Sequence, residues 1–129
     1  MEKELILKIQ HFESIFLTRL ENRYGIILIE ETNRDIREVH TLTTSLKAWI
    51  KDNETPAKHP DGISELVLSY FTDEIAEFNV LLSKSLTEII KSSDANAVNG
   101  YINTLCMAIA HENVKMKAFE RLIKISTNN

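Results

Sequence analysis

Apolar residues near the start of the chain fall at Leu5, Ile9, Phe12, Phe16 and Leu20, spaced by four, three, four and four. Residues three or four apart stack on one face of an α-helix, so this stripe predicts a helix over about 2–22. A second stripe, Ile36, Val39, Leu42, Leu46, Trp49 and Ile50, predicts a helix over about 33–52, with Thr32 paired to Asp35, or Asn33 alone, as its N-cap. A third, Val67, Phe71, Ile75, Phe78, Leu82, Leu86 and Ile89, advances eleven residues every three turns and so keeps close to straight helical geometry. It predicts a helix over about 63–92, opened by Asp61 or Ser64, with a joint near 70–73 where Thr72 can cap a second segment. The fourth stripe, Val98, Ile102, Leu105, Ile109, Met116, Phe119 and Ile123, predicts a helix over about 95–126 after an N-cap at Ser93 or Asp94.

The stretches between the stripes carry the breakers. "NETPAKHPDG" holds both prolines and Gly62, which oppose helix propagation. "RYGIILIEET", over 23–32, reads as a helix break in which Gly25 can act as a C-terminal cap and Ile26 to Ile29 form a short extended segment or a buried turn. Four amphipathic helices with short connections bury their stripes most simply around one core. The expected fold is therefore all-α, an antiparallel bundle of four (or four to five) helices forming a single domain over 1–129. A chain of 129 residues with 43% hydrophobic positions is large enough to build that core unaided.

Charge narrows the partners. Nineteen acidic against fifteen basic residues give a net charge of −4 with no basic run, which argues against nucleic acid. Cys106 stands alone among apolar neighbours in "NTLCMAIA" and reads as a buried thiol of a reducing compartment. The N-terminus interrupts its apolar residues with charge, and no apolar run approaches a membrane span. The expectation is a cytoplasmic protein without a membrane partner.

One histidine invites a sharper reading. On a helical wheel His40 lies about 115° from the centre of the apolar side of its helix and so is expected to be accessible. The stretch "HTLTTSLKAWI" that it opens resembles the H-box of histidine-kinase dimerisation domains. That resemblance covers eleven residues and implies a phosphoryl acceptor at His40, with Thr44 orienting the ring. The chain departs from the pattern at Thr41, where the family carries an acidic residue able to take the imidazole proton, and at Ser45, where it carries proline. No glycine-rich nucleotide site follows. "RDIREVH" also resembles the loose Arg-then-His spacing of the HEPN helical ribonuclease superfamily, which implies that Arg34 stabilises a phosphate-centred transition state and His40 acts as acid or base.

Glu112 falls in the middle of the fourth stripe, where a carboxylate must be paired, protonated or beside a water-filled gap. Arg23 and Arg19, on the first helix, are the candidate partners. None of the histidines follows a glutamate by three residues, so the di-iron ligand spacing is missing, and "AHENVK" has Lys115 where a zinc-protease helix has its second histidine. Glu74 and Glu77 in "TDEIAEF" resemble half of the metal site of all-α nucleotide pyrophosphohydrolases, without the second carboxylate pair. The expectation is a chain with no metal, cofactor or active site that binds another protein as an adaptor, inhibitor, immunity protein or regulatory subunit, with a homodimer as an open alternative. Trp49, Tyr70, Phe71 and Tyr101 are the candidate anchors, because bulky aromatic residues contribute most at interface centres.

Overall fold

A computed structural model of the chain describes residues 7, 9–12, 30–52 and 62–127. Among these residues the backbone is helical except at Gly62 and over 92–94, and it contains no strand. The expected all-α bundle is the observed one. Helix α1 is Glu30–Asp52, α2 is Ile63–Ser69, a π-helical turn follows at Tyr70–Glu74, α3 is Ile75–Lys91 and α4 is Ala95–Thr127. Residues 7 and 9–12 are also helical, and Ile9 and Phe12 from the first stripe are buried. Leu5, Phe16, Leu20, the 23–29 stretch and the two prolines lie outside the described residues, as do Arg19 and Arg23.

Helix α1 begins three residues before its predicted start, so Thr32 is not its cap but a buried residue within it. Glu30 and Glu31 occupy its first turn, where acidic side chains complement the positive end of the helix dipole. Helix α2 opens at Gly62, whose φ of 79° lies in the left-handed region that only glycine enters at little cost. Ser64 is inside the helix, and Asp61 lies outside the described residues.

The predicted joint in the third helix is the π turn. Here Ser69 donates its hydroxyl to Asp73 at 3.1 Å, and Thr72 bonds back to the Ser69 carbonyl at 3.4 Å, so side chains compete with the regular ladder. Thr72 therefore caps nothing; the axis continues through the turn. The wider turn brings two successive residues, Tyr70 and Phe71, into the core. Between α3 and α4 the chain reverses over three residues, and Asp94 caps α4 as expected by accepting the Asn96 N–H at 3.0 Å.

Helix α4 is the spine of the fold: α1 packs along one side of it and α3 along the other. Leu105, Ile109 and Met116 of α4 are fully buried, together with Leu46 of α1 and Leu82 of α3. Phe12 sets its ring edge-on to Phe71 and Phe78, at centroid distances of 6.5 and 6.0 Å, which places residues 9–12 over the α2–α3 side. Among the described residues no helix is long and apolar enough to cross a membrane.

Candidate functional site

The core face of α4 is broken by two polar residues, Glu112 and Asn113, which are 4% and 3% exposed. Each meets a partner on a different flank. Glu112 accepts the Tyr70 hydroxyl at 2.7 Å, so the π turn supplies the first partner. Glu74, from the end of the same turn, sets its carboxylate against Glu112, binds the Lys115 ammonium and lies 3.7 Å from His111 Nε2.

Burial pushes the Glu112 carboxyl up to about 7, and the neighbouring Glu74 adds to the shift by hydrogen bonding and repulsion. Burial also raises Glu74, but hydrogen bonds from Lys115 and Glu112 outweigh it and hold its carboxyl below the usual range. Tyr70 is raised, by burial first and by Glu112 second, so its phenol keeps its proton and stays a donor. Glu74 Oε2 is buried with no hydrogen-bond partner.

Glu74, His111 and Glu112 also bring one ligand atom each within 4.8 Å of one another. A metal ion bound there would displace the Lys115 ammonium and the Glu112 proton, which already balance the two carboxylates, and would gain only three protein donors among the described residues. The set is better matched to a proton and a lysine. Glu77, the second carboxylate of the supposed half-site, is exposed and does not join this cluster.

On the other flank Asn113 donates to Asp35 of α1 at 2.9 Å. Beside it opens a groove of ≈ 530 Å³ between α1 and α4, to which Arg34, Arg37, Lys117, Arg121 and Lys124 contribute five cations and Glu38 and Glu120 two carboxylates. Lys117 pairs with Glu38 at 2.6 Å and holds its carboxyl below the usual range; Arg34 approaches the same residue at 3.7 Å. Lys124 pairs with Glu120 at 3.4 Å. Arg37 and Arg121 have no acidic partner among the described residues.

A third feature lies between these flanks. Met107, Val114, Leu122 and Ile125 are 75%, 68%, 41% and 62% exposed. With His111 and Ala118, both exposed, they step by four, three, four, four and three along α4, which lays a second stripe opposite the core stripe. Leu66 of α2, 51% exposed, lies across a further groove from Ala118 and Leu122, one floored by Tyr70, Glu74 and Lys115.

The structure separates the residues that the sequence grouped around His40. The imidazole is exposed, as the wheel requires. Among the described residues, though, no carboxylate comes within ion-pair distance of it, and the Thr44 hydroxyl bonds the His40 carbonyl at 3.0 Å rather than the ring. Arg34 and Arg37 line the α1–α4 groove, whereas His40 does not, because it sits about 60° further round α1 than Arg37. Two candidate anchors also need correction. Tyr70 and Phe71 are 5% and 1% exposed, packed inward by the π turn, and so offer too little surface to anchor a partner. Trp49 packs half-buried against the core and Tyr101 is half-buried. Cys106, expected to be buried, is half-buried.

The fold and these features define a small all-α bundle whose longest helix is apolar on two opposite faces and polar on the flanks between them. No family model, curated protein or solved structure matches the chain.

Proposed function

We propose that this chain is a small helical protein that works by binding another protein. The observation that carries this reading is the solvent-side stripe of α4, Met107, Val114, Ala118, Leu122 and Ile125, which supplies apolar surface along one helix with no covering element among the described residues. Single exposed apolar residues are ordinary on protein surfaces, but a row at helical spacing is the arrangement that a partner helix or groove can cover. The aromatic anchors favoured by residue type give way here to aliphatic ones.

The phosphotransfer and ribonuclease readings lose support from the same geometry. A phosphoryl-accepting His40 calls for a base at the imidazole, and a ribonuclease calls for Arg34 or Arg37 and His40 in one cleft. The test is a photoreactive residue at position 114, irradiated in a native extract of the source cells, with position 93 on the exposed α3–α4 turn as control. The reading expects one discrete crosslinked protein from position 114 that disappears with Met107→Lys. Equal labelling from both positions would remove the stripe as an interface.

A further inference from the structure

The α1–α4 groove adds chemistry to the apolar stripe. Arg121 and Lys117 lie on the flank of α4 next to Val114 and Ile125, so the row of exposed apolar side chains is bordered along one edge by cations. The groove gathers five basic side chains in a chain whose net charge is −4. Lys117, Arg34 and Lys124 share the two carboxylates Glu38 and Glu120, while Arg37 and Arg121 are left with none among the described residues. An unpaired guanidinium presents a planar fork that matches a carboxylate with two parallel hydrogen bonds.

Resting on the protein-binding reading, we infer that this groove receives an acidic segment of the partner, whose carboxylates meet Arg37 and Arg121 while its apolar side chains cover Val114 and Ile125. Charge complementarity selects the occupant. A phosphate backbone favours an unbroken cationic track, and single strands also favour aromatic platforms. Here Glu38 and Glu120 interrupt the cations and, among the described residues, no aromatic side chain lines the groove. A segment with separated carboxylates and interleaved apolar residues fits that alternation. Such rim charges mainly set the rate of encounter and the choice of partner.

Two arms test the inference. In the first, the position-114 crosslinker is repeated in an Arg37→Glu/Arg121→Glu background. In the second, fluorescence anisotropy follows a labelled amphipathic peptide with glutamates on one face and leucines on the other, beside its lysine-for-glutamate version and a single-stranded thymidine oligonucleotide. The wild type is expected to bind the glutamate peptide, and the double variant to bind it about tenfold more weakly, two exposed ion pairs each contributing a small factor. The double variant is also expected to prefer the lysine peptide, an exchange that misfolding cannot produce. Arg37→Gln/Arg121→Gln is expected to lose less and to gain no preference for lysine.

Equal binding of both peptides by the wild type, or tighter binding of the oligonucleotide, overturns the inference. So does a dimer in light scattering that the double variant abolishes, since the groove would then hold a second copy of the chain. A crosslink that survives undiminished in the double variant overturns the groove but leaves the protein-binding reading standing. The absence of any crosslink from the wild type overturns that reading itself.

Discussion

Helix α4 carries two polar regions that differ in how their charges are spent. Facing the π turn, Tyr70, Glu74, Glu112 and Lys115 bond to one another in a partly dry setting, where burial raises the Glu112 carboxyl. Facing α1, Asn113 holds Asp35, but the groove beyond leaves Arg37 and Arg121 unmatched among the described residues and open to solvent. Desolvation explains the difference. A buried charge without a partner costs several kcal/mol, so the inner cluster must close on itself. An exposed guanidinium keeps its water and can wait for a ligand. The first region is an element of the fold; the second is where the proposed partner segment would bind.

The largest effects are expected where that closure is broken. Glu112→Ala leaves the Tyr70 hydroxyl without its acceptor and opens a gap in the core face, with an expected loss of about 2–3 kcal/mol in urea unfolding. Combining Glu112→Leu with Tyr70→Phe removes both partners at nearly constant shape and is expected to return close to wild type. Equal losses in the single and paired replacements would show that the cluster does not act as a unit.

The retained proton gives the next effect. The folded Glu112 pKa of about 7 stands above its unfolded value, so the proton's contribution is complete below the unfolded value and is lost as pH rises through the folded one. Glu74 runs the other way: its pKa is lowered on folding, so its contribution is present above the unfolded value and is lost as pH falls through the folded one. Stability is therefore expected to peak at mildly acidic pH and to drop by about 2 kcal/mol between about pH 5.5 and about pH 8. Glu112→Gln should flatten that slope, which unfolding curves at several pH values will show.

Smaller effects belong to the α1 side. Asn113→Ala removes one hydrogen bond to Asp35, and about 1 kcal/mol is expected from thermal or urea unfolding. Arg37→Glu with Arg121→Glu is expected to move stability by less than about 0.5 kcal/mol, because both side chains are exposed and unpaired among the described residues. A loss of several kcal/mol there would assign the groove to the fold.

Much of this architecture could be read from the stripes. The third and fourth helices end within one residue of their expected bounds, and the joint appears where Ser69, Thr72 and Asp73 weaken the ladder. The wheel also exposed the anomaly of Glu112. Its partner was less legible, because pairing Tyr70 with Glu112 depends on the π turn, which no apolar period announces. Residue type drew the reading to Tyr70 and Phe71 as surface anchors, and that same turn buries them. The second stripe of α4 was in the sequence at ordinary helical spacing. It was hidden because one apolar face suffices to predict a helix, so Met107 and Val114 added nothing to that prediction. The basic groove combines residues some eighty positions apart and required the packing of α1 on α4.

The most direct measurement follows two variants through both properties at once: Arg37→Glu/Arg121→Glu and Glu112→Gln, each assayed for urea unfolding across pH and for binding of the glutamate peptide. The expected results cross. The first variant loses binding and keeps its stability and pH slope; the second changes stability and slope and keeps its binding. If both variants lose binding in proportion to their loss of stability, the two regions act as one, and the division of labour along α4 is wrong.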